Sequence, residues 1–83
     1  PELSQERRIE IVKIASKYSE DAKITVRNIR RDAMDKIKDE EKQKSISKDD
    51  SFQISEKIQK LTDKYVEKIE KIFQEKQSDI LQV

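Results

Sequence analysis

All five arginines of this chain, Arg7, Arg8, Arg27, Arg30 and Arg31, fall in its first 31 residues. Between Ala22 and Arg31 stand four basic residues, Lys23, Arg27, Arg30 and Arg31, with no acid among them and Asn28 at their flank. A guanidinium grips phosphate through two parallel N–H donors and stacks on bases. A rigid element carrying three of them in five positions therefore suits an RNA backbone. Charge on a helix surface is ordinarily plain solvation, however, and Asp32 and Asp35 are close enough in sequence to pair with these arginines. The whole chain holds 19 basic and 18 acidic side chains, net +1. That balance is not strongly basic, so composition leaves RNA contact and solvation both open.

Other chemistry is narrowed by what is missing. The 83 residues include no Gly, His or Cys. Without Gly there is no phosphate-cradling loop, dinucleotide fingerprint or nucleophile elbow, since each needs a residue lacking a Cβ. Without His and Cys there are no zinc sites, thiol nucleophiles, imidazole bases or disulfides. No catalytic residue, metal or cofactor is expected. Asp39, Glu40 and Glu41 sit at a helix end open to water, with no shaped loop to gather them round a cation. Two Tyr and two Phe do not make a base-stacking platform. No apolar run exceeds two residues, against about 20 for a membrane span, so nothing points to secretion and the cytoplasm is the expected location. A membrane-surface role for the basic face is not expected either, because the acids are too evenly mixed.

The element that must position the arginines is legible from spacing. Ile11, Ala15, Tyr18, Ala22, Val26, Ile29, Ala33 and Ile37 recur every three or four residues, a helical period that no strand has. Ser4 can cap this helix, with Glu6 in its first turn, and the predicted extent is about 4–44. At about 100° per residue, Lys23, Arg27 and Arg31 stack above one another, Lys38 continues their line, and Arg30 lies at the border of the apolar stripe. Residues 45–47 form a turn. Ser47 with Asp50 resembles a capping box, Asp standing for the usual Glu. A second helix over about 48–82 carries Ile54, Ile58, Leu61, Tyr65, Ile69 and Ile72, with Phe73 beside them. Eleven-residue series run through both helices (Ile11–Ala22–Ala33, Ala15–Val26–Ile37, Ile58–Ile69–Ile80, Leu61–Ile72–Val83), which predicts nearly straight elements. The fold class is thus all-α, a long antiparallel hairpin of helices roughly 50–60 Å long at about 1.5 Å per residue. Tyr18 and Tyr65 lie in the stripes and are expected to pack in the core with hydroxyls at its edge. Charges on the second helix interleave as on a solvated face, and no function is assigned there.

Two such helices cannot cover all the apolar surface. Leu, Ile, Val and Phe number 21, above the roughly 20% below which a highly charged chain stays disordered, yet little for a core. Ile9, Val12 and Ile24 lie off the first stripe, and Phe52, Val66 and Phe73 widen the second. The hairpin is therefore expected to be two helices of an incomplete three-helix bundle, the third absent or supplied by another chain. Self-association through the uncovered apolar face is a further expectation.

The segments Glu6-Arg7-Arg8, Val26-Arg27-Asn28-Ile29-Arg30-Arg31-Asp32-Ala33, Ile46-Ser47-Lys48-Asp49-Asp50 and Gln59-Lys60-Leu61-Thr62-Asp63-Lys64-Tyr65 resemble bacterial ribosome recycling factor, in register along the whole chain. The resemblance implies a long three-helix bundle with a smaller α/β domain inserted between its first and second helices. This chain resembles the second and third helices, without the first helix or the inserted domain. It also implies binding to the large ribosomal subunit after termination, across the site of the transfer RNAs. With elongation factor G and GTP hydrolysis, the ribosome is then split and freed from messenger RNA. The family has no active site. The positions matching its ribosomal-RNA contacts are Arg27, Arg30 and Arg31, Arg30 foremost; Lys23 and Asn28 complete the expected rRNA-binding set. The family usually has Asn where this chain has Met34. Contacts to elongation factor G through the inserted domain are not available here, so the chain is not expected to recycle ribosomes alone. The alternative is a self-associating helical hairpin with a solvated charged surface.

Overall fold

The computed structural model describes residues 3–82, which form two long helices packed antiparallel, with no strand among the described residues. Helix α1 spans Gln5–Lys42 and α2 spans Lys48–Leu81. Together they make a rod of 63 × 15 × 12 Å. Val83, the last member of one eleven-residue series, lies outside the described residues.

The ends follow from capping chemistry. Ser4 is the N-cap of α1, as expected, and its Oγ accepts from the Arg7 N–H at 3.1 Å, the helix proper beginning at Gln5. At the other end α1 stops at Lys42, two residues before the expected 44. There the chain closes a Schellman arrangement: the Lys44 N–H donates to the Glu41 carbonyl (3.0 Å) and the Ser45 N–H to the Glu40 carbonyl (2.9 Å), which satisfies carbonyls the helix would leave open. Lys44 takes φ 61°, the left-handed position that Gly normally fills, and a residue with a Cβ is there at a cost of about 1–2 kcal/mol. The turn thus occupies 43–47 instead of 45–47. Half of the expected capping box forms at the start of α2: Ser47 Oγ accepts from the Asp50 N–H at 3.0 Å. The reciprocal bond is missing among the described residues, in keeping with Asp being one methylene shorter than Glu. Asp49 and Asp50 still face the positive end of the α2 dipole.

The seam between the helices differs from the expected one. The buried residues are small and polar: Ser19, Ser51 and Thr62; no apolar side chain among the described residues is buried. Small side chains let two helices approach, and the half-buried Val12, Val26, Ile37, Ile58, Val66, Ile69 and Phe73 flank them. The stripe centred on Ile11, Tyr18 and Ile29 is displaced from this seam by part of a turn. Tyr18 is 70% exposed and Tyr65 49%, so neither packs in a core. The reason is the width of the apolar face: one edge meets the partner helix and the other is left open. Two shallow grooves of about 300 Å³ and 290 Å³ lie along that open edge. Tyr18, Ile69, Ile72 and Phe73 line one of them, and Val26, Ile29, Leu61 and Tyr65 the other. A fully buried Ile, Leu or Phe contributes about 1.5–3 kcal/mol, and half-burial only part of that. Polar ties between the helices therefore matter more here than in a packed core.

Candidate nucleic-acid interface

Three ties join α1 to α2 and set where the basic residues stand. Near the open end, Arg8 donates from Nη1 to the carbonyls of Ile80 (3.4 Å) and Gln82, and from Nε to the Leu3 carbonyl (3.2 Å). It thereby caps the last turn of α2 with a cation, which the negative end of the helix dipole favours. In the middle, Lys23 Nζ bonds and ion-pairs with the Glu70 carboxylate and, at 3.3 Å, with Glu20 on its own helix. Nearer the turn, Arg30 Nη1 donates to Gln59 Oε1 at 3.0 Å.

Electrostatics separates Lys23 from the arginines. Its side chain is only 12% exposed. The Glu70 hydrogen bond, foremost, holds its pKa above the ordinary lysine value, while partial desolvation opposes it. Glu70 is correspondingly held below the usual carboxylate value, first by Lys23 and then by Gln74. Lys23, which the sequence places on the basic face, is ion-paired with a carboxylate of its own helix and with one of α2, and so ties the two helices together.

The arginines are held differently. Gln59 accepts from Arg30 through Oε1 and donates through Nε2 to Asp63 Oδ1 at 2.9 Å. A guanidinium has only donors and a carboxylate only acceptors, so this arrangement admits one orientation of the amide. Arg31 Nη2 donates to Asn28 Oδ1 at 2.7 Å. Arg27 is exposed and has no side-chain partner among the described residues. The pairing with Asp32 or Asp35 that the sequence allows is not made: ion pairs among the described residues involve only Arg7 and Lys23. Arg27 and Arg31 stand exposed on the outer face of α1, with Arg30 half-buried at the seam beside them. Met34, one turn beyond Arg30, is half-buried.

Gln59 and Asp63 were invisible as site residues in the sequence, where they read as part of a solvated charged face. Their four-residue spacing was a signal of mutual contact; their alignment with Arg30 depends on the register between helices. No cluster of carboxylates among the described residues could hold a metal ion, and no helix there is long and apolar enough to cross a membrane.

Comparison with known proteins gives one answer. Residues 1–81 match the family profile described as Ribosome recycling factor. The whole chain is 55% identical to the ribosome-recycling factor of Parvibaculum lavamentivorans, covering 44% of that protein. It is 52% identical to that of Oleidesulfovibrio alaskensis and 53% identical to that of Brevibacillus brevis, covering 45% of each. The chain therefore spans less than half the length of these curated relatives.

Proposed function

This chain belongs to the ribosome recycling factor family, and from that premise we propose that it is the ribosome-binding helical part of such a factor, with Arg27, Arg30 and Arg31 on ribosomal RNA of the large subunit. The observation that carries this is the kind of partner that Arg30 and Arg31 have, Arg27 having none among the described residues. Arg30 is oriented by Gln59 and Arg31 by Asn28, both neutral amides. A carboxylate partner would neutralise the guanidinium; an amide orients it and leaves its charge for phosphate. Lys23, tied to Glu20 and Glu70, fixes the angle of this face against α2 and does not itself touch RNA. Asn28 acts through Arg31.

We further infer that the two helices are the second and third of a three-helix bundle and that the remainder of the full-length protein supplies the first, laid in the open apolar grooves. Relatives more than twice as long as this chain leave ample sequence for that helix and for an inserted domain. In the full-length protein, action with elongation factor G on the post-termination ribosome in the cytoplasm follows from the family; this part alone does not split ribosomes. Co-sedimentation with large subunits over a salt series tests the RNA contact. Arg30→Ala should weaken binding and lower the slope of log affinity against log salt by about 1, as expected for one lost phosphate contact. Unchanged affinity would remove Arg30 from the interface.

The exposed Tyr18, Ile29, Leu61, Tyr65 and Ile72 favour one alternative, a hairpin that self-associates through its grooves. Sedimentation equilibrium tests it: a mass that rises with concentration, and that Tyr18→Ser returns to monomer, would support it.

A further inference from the structure

We propose that Gln59, locked by Asp63, is a positioning residue that presents the Arg30 guanidinium to RNA phosphate. The inference rests on Arg30 being an RNA contact, as proposed above, and goes beyond it by assigning a role to two residues of the other helix.

Arg30 leaves α1 at the seam, and its guanidinium ends beside α2. A long side chain at such a border has several rotamers, some lying back along the apolar groove that the Arg30 stem helps to line. The Gln59 hydrogen bond selects one of them. It uses one donor at Nη1, leaving the other four of the guanidinium's five, enough for a two-pronged grip on phosphate.

Gln59 could present either end of its amide. Its NH2 toward Arg30 would repel the guanidinium; its oxygen attracts it. Asp63, one turn on, decides the matter by accepting from Nε2 at 2.9 Å. The carboxylate thus orients Arg30 at one remove, through an amide, without pairing with it. A carboxylate at 59 would hold Arg30 as firmly but would compete with phosphate for the same charge. The chain uses acids freely elsewhere on α2 and places one against Lys23 from position 70. At position 59 it places the neutral isostere.

The test compares binding to purified large subunits by full-length protein carrying Gln59→Leu, Gln59→Glu, Asp63→Asn, Arg30→Ala, and Gln59→Leu combined with Arg30→Ala. Helix content is checked by circular dichroism for each. Gln59→Leu should weaken binding roughly three- to tenfold and Arg30→Ala about tenfold or more, the range of a charge-assisted contact. The double variant should bind like Arg30→Ala alone, because Gln59 acts only through Arg30. Gln59→Glu, which keeps shape and helix, should weaken binding at least as much as Gln59→Leu. Asp63→Asn should weaken it less, since Asn can still accept from the amide. If Arg30→Ala binds like the parent, the RNA contact itself is refuted. If Arg30→Ala weakens binding but the Gln59 variants do not, the contact stands and the positioning role is refuted. If Gln59→Leu costs as much without Arg30 as with it, Gln59 is merely structural and the proposal is likewise overturned.

Discussion

Replacing Ser19 by alanine should stabilise the hairpin, although Ser19 is one of its most buried residues. Ser19 is 8% exposed, and its Oγ has no hydrogen-bond partner among the described residues. Thr62, equally buried across the seam, differs: its Oγ1 donates to the Ile58 carbonyl at 2.8 Å. An unpaired buried hydroxyl costs about 1–3 kcal/mol, and the lower end applies because Ser19 borders an open groove. Alanine is also the better helix former by about 0.5 kcal/mol. The methyl remains at the seam and only one oxygen is lost, so the net gain is about 1–1.5 kcal/mol. With a urea slope of about 1–2 kcal/mol per molar for a protein of this size, the midpoint should rise by roughly 0.5–1.5 M. The assay is urea unfolding followed by circular dichroism, with Thr62→Ala as the control of opposite sign, destabilising by about 1 kcal/mol. A midpoint for Ser19→Ala that stays put or falls, at unchanged slope, would mean the hydroxyl is paired in solution and would refute the reasoning.

The Lys23–Glu70 strut makes stability depend on pH at both ends. Glu70 is held below its ordinary 4.5 in the fold, so its contribution is present above that value and is lost as pH falls through the lowered one. Lys23 is held above its ordinary 10.5, so its contribution is complete below 10.5 and lost as pH rises through the raised value. Urea midpoints measured across pH should therefore show a plateau between these limits that Glu70→Gln lowers. Arg8→Ala should speed amide hydrogen exchange in the last turn of α2 and the first of α1 while leaving residues around Arg30 and Gln59 unchanged, because the Arg8 bonds are confined to the open end. Lys44→Gly should stabilise the chain by about 0.5–1 kcal/mol in the same urea assay, relief of the left-handed strain exceeding the extra entropy Gly brings to the unfolded state.

The helices and their caps were open to inspection in the sequence because each rests on local signals. Spacings of three and four set the period, and Ser4 and Ser47 mark the starts. What periodicity does not reveal is which edge of a wide stripe meets the partner. Ile11, Ala15 and Tyr18 looked like the centre of the contact; the seam runs instead past Ser19 and Thr62, small polar residues that carry no hydrophobic signal. That rotation is why Tyr18 and Tyr65 face outward. The arginines were recognisable as a group, since charge clustering is local, but their partners were not. Whether Lys23 meets an acid and Arg30 an amide depends on the alignment of residues 47 and 29 positions apart, which neither helix encodes by itself. The shortfall in apolar coverage was visible as stripe width, and the open grooves are its structural form.

Alignment between the helices originates in the five residues from Gln43 to Ser47. The Schellman bonds and the left-handed Lys44 hold the start of this turn, and the Ser47 cap holds its end. The turn therefore sets the phase of α2. Lys23 and Glu70, like Arg30 and Gln59, stand at nearly equal distances on either side of it. A residue inserted there, and not absorbed locally, would rotate α2 by about 100° and slide it about 1.5 Å. Gln59, Asp63 and Glu70 would leave their partners in a single movement. The bend at one end of a 63 Å rod is in this sense a timing mark, and the orientation of a guanidinium several turns away is read from it.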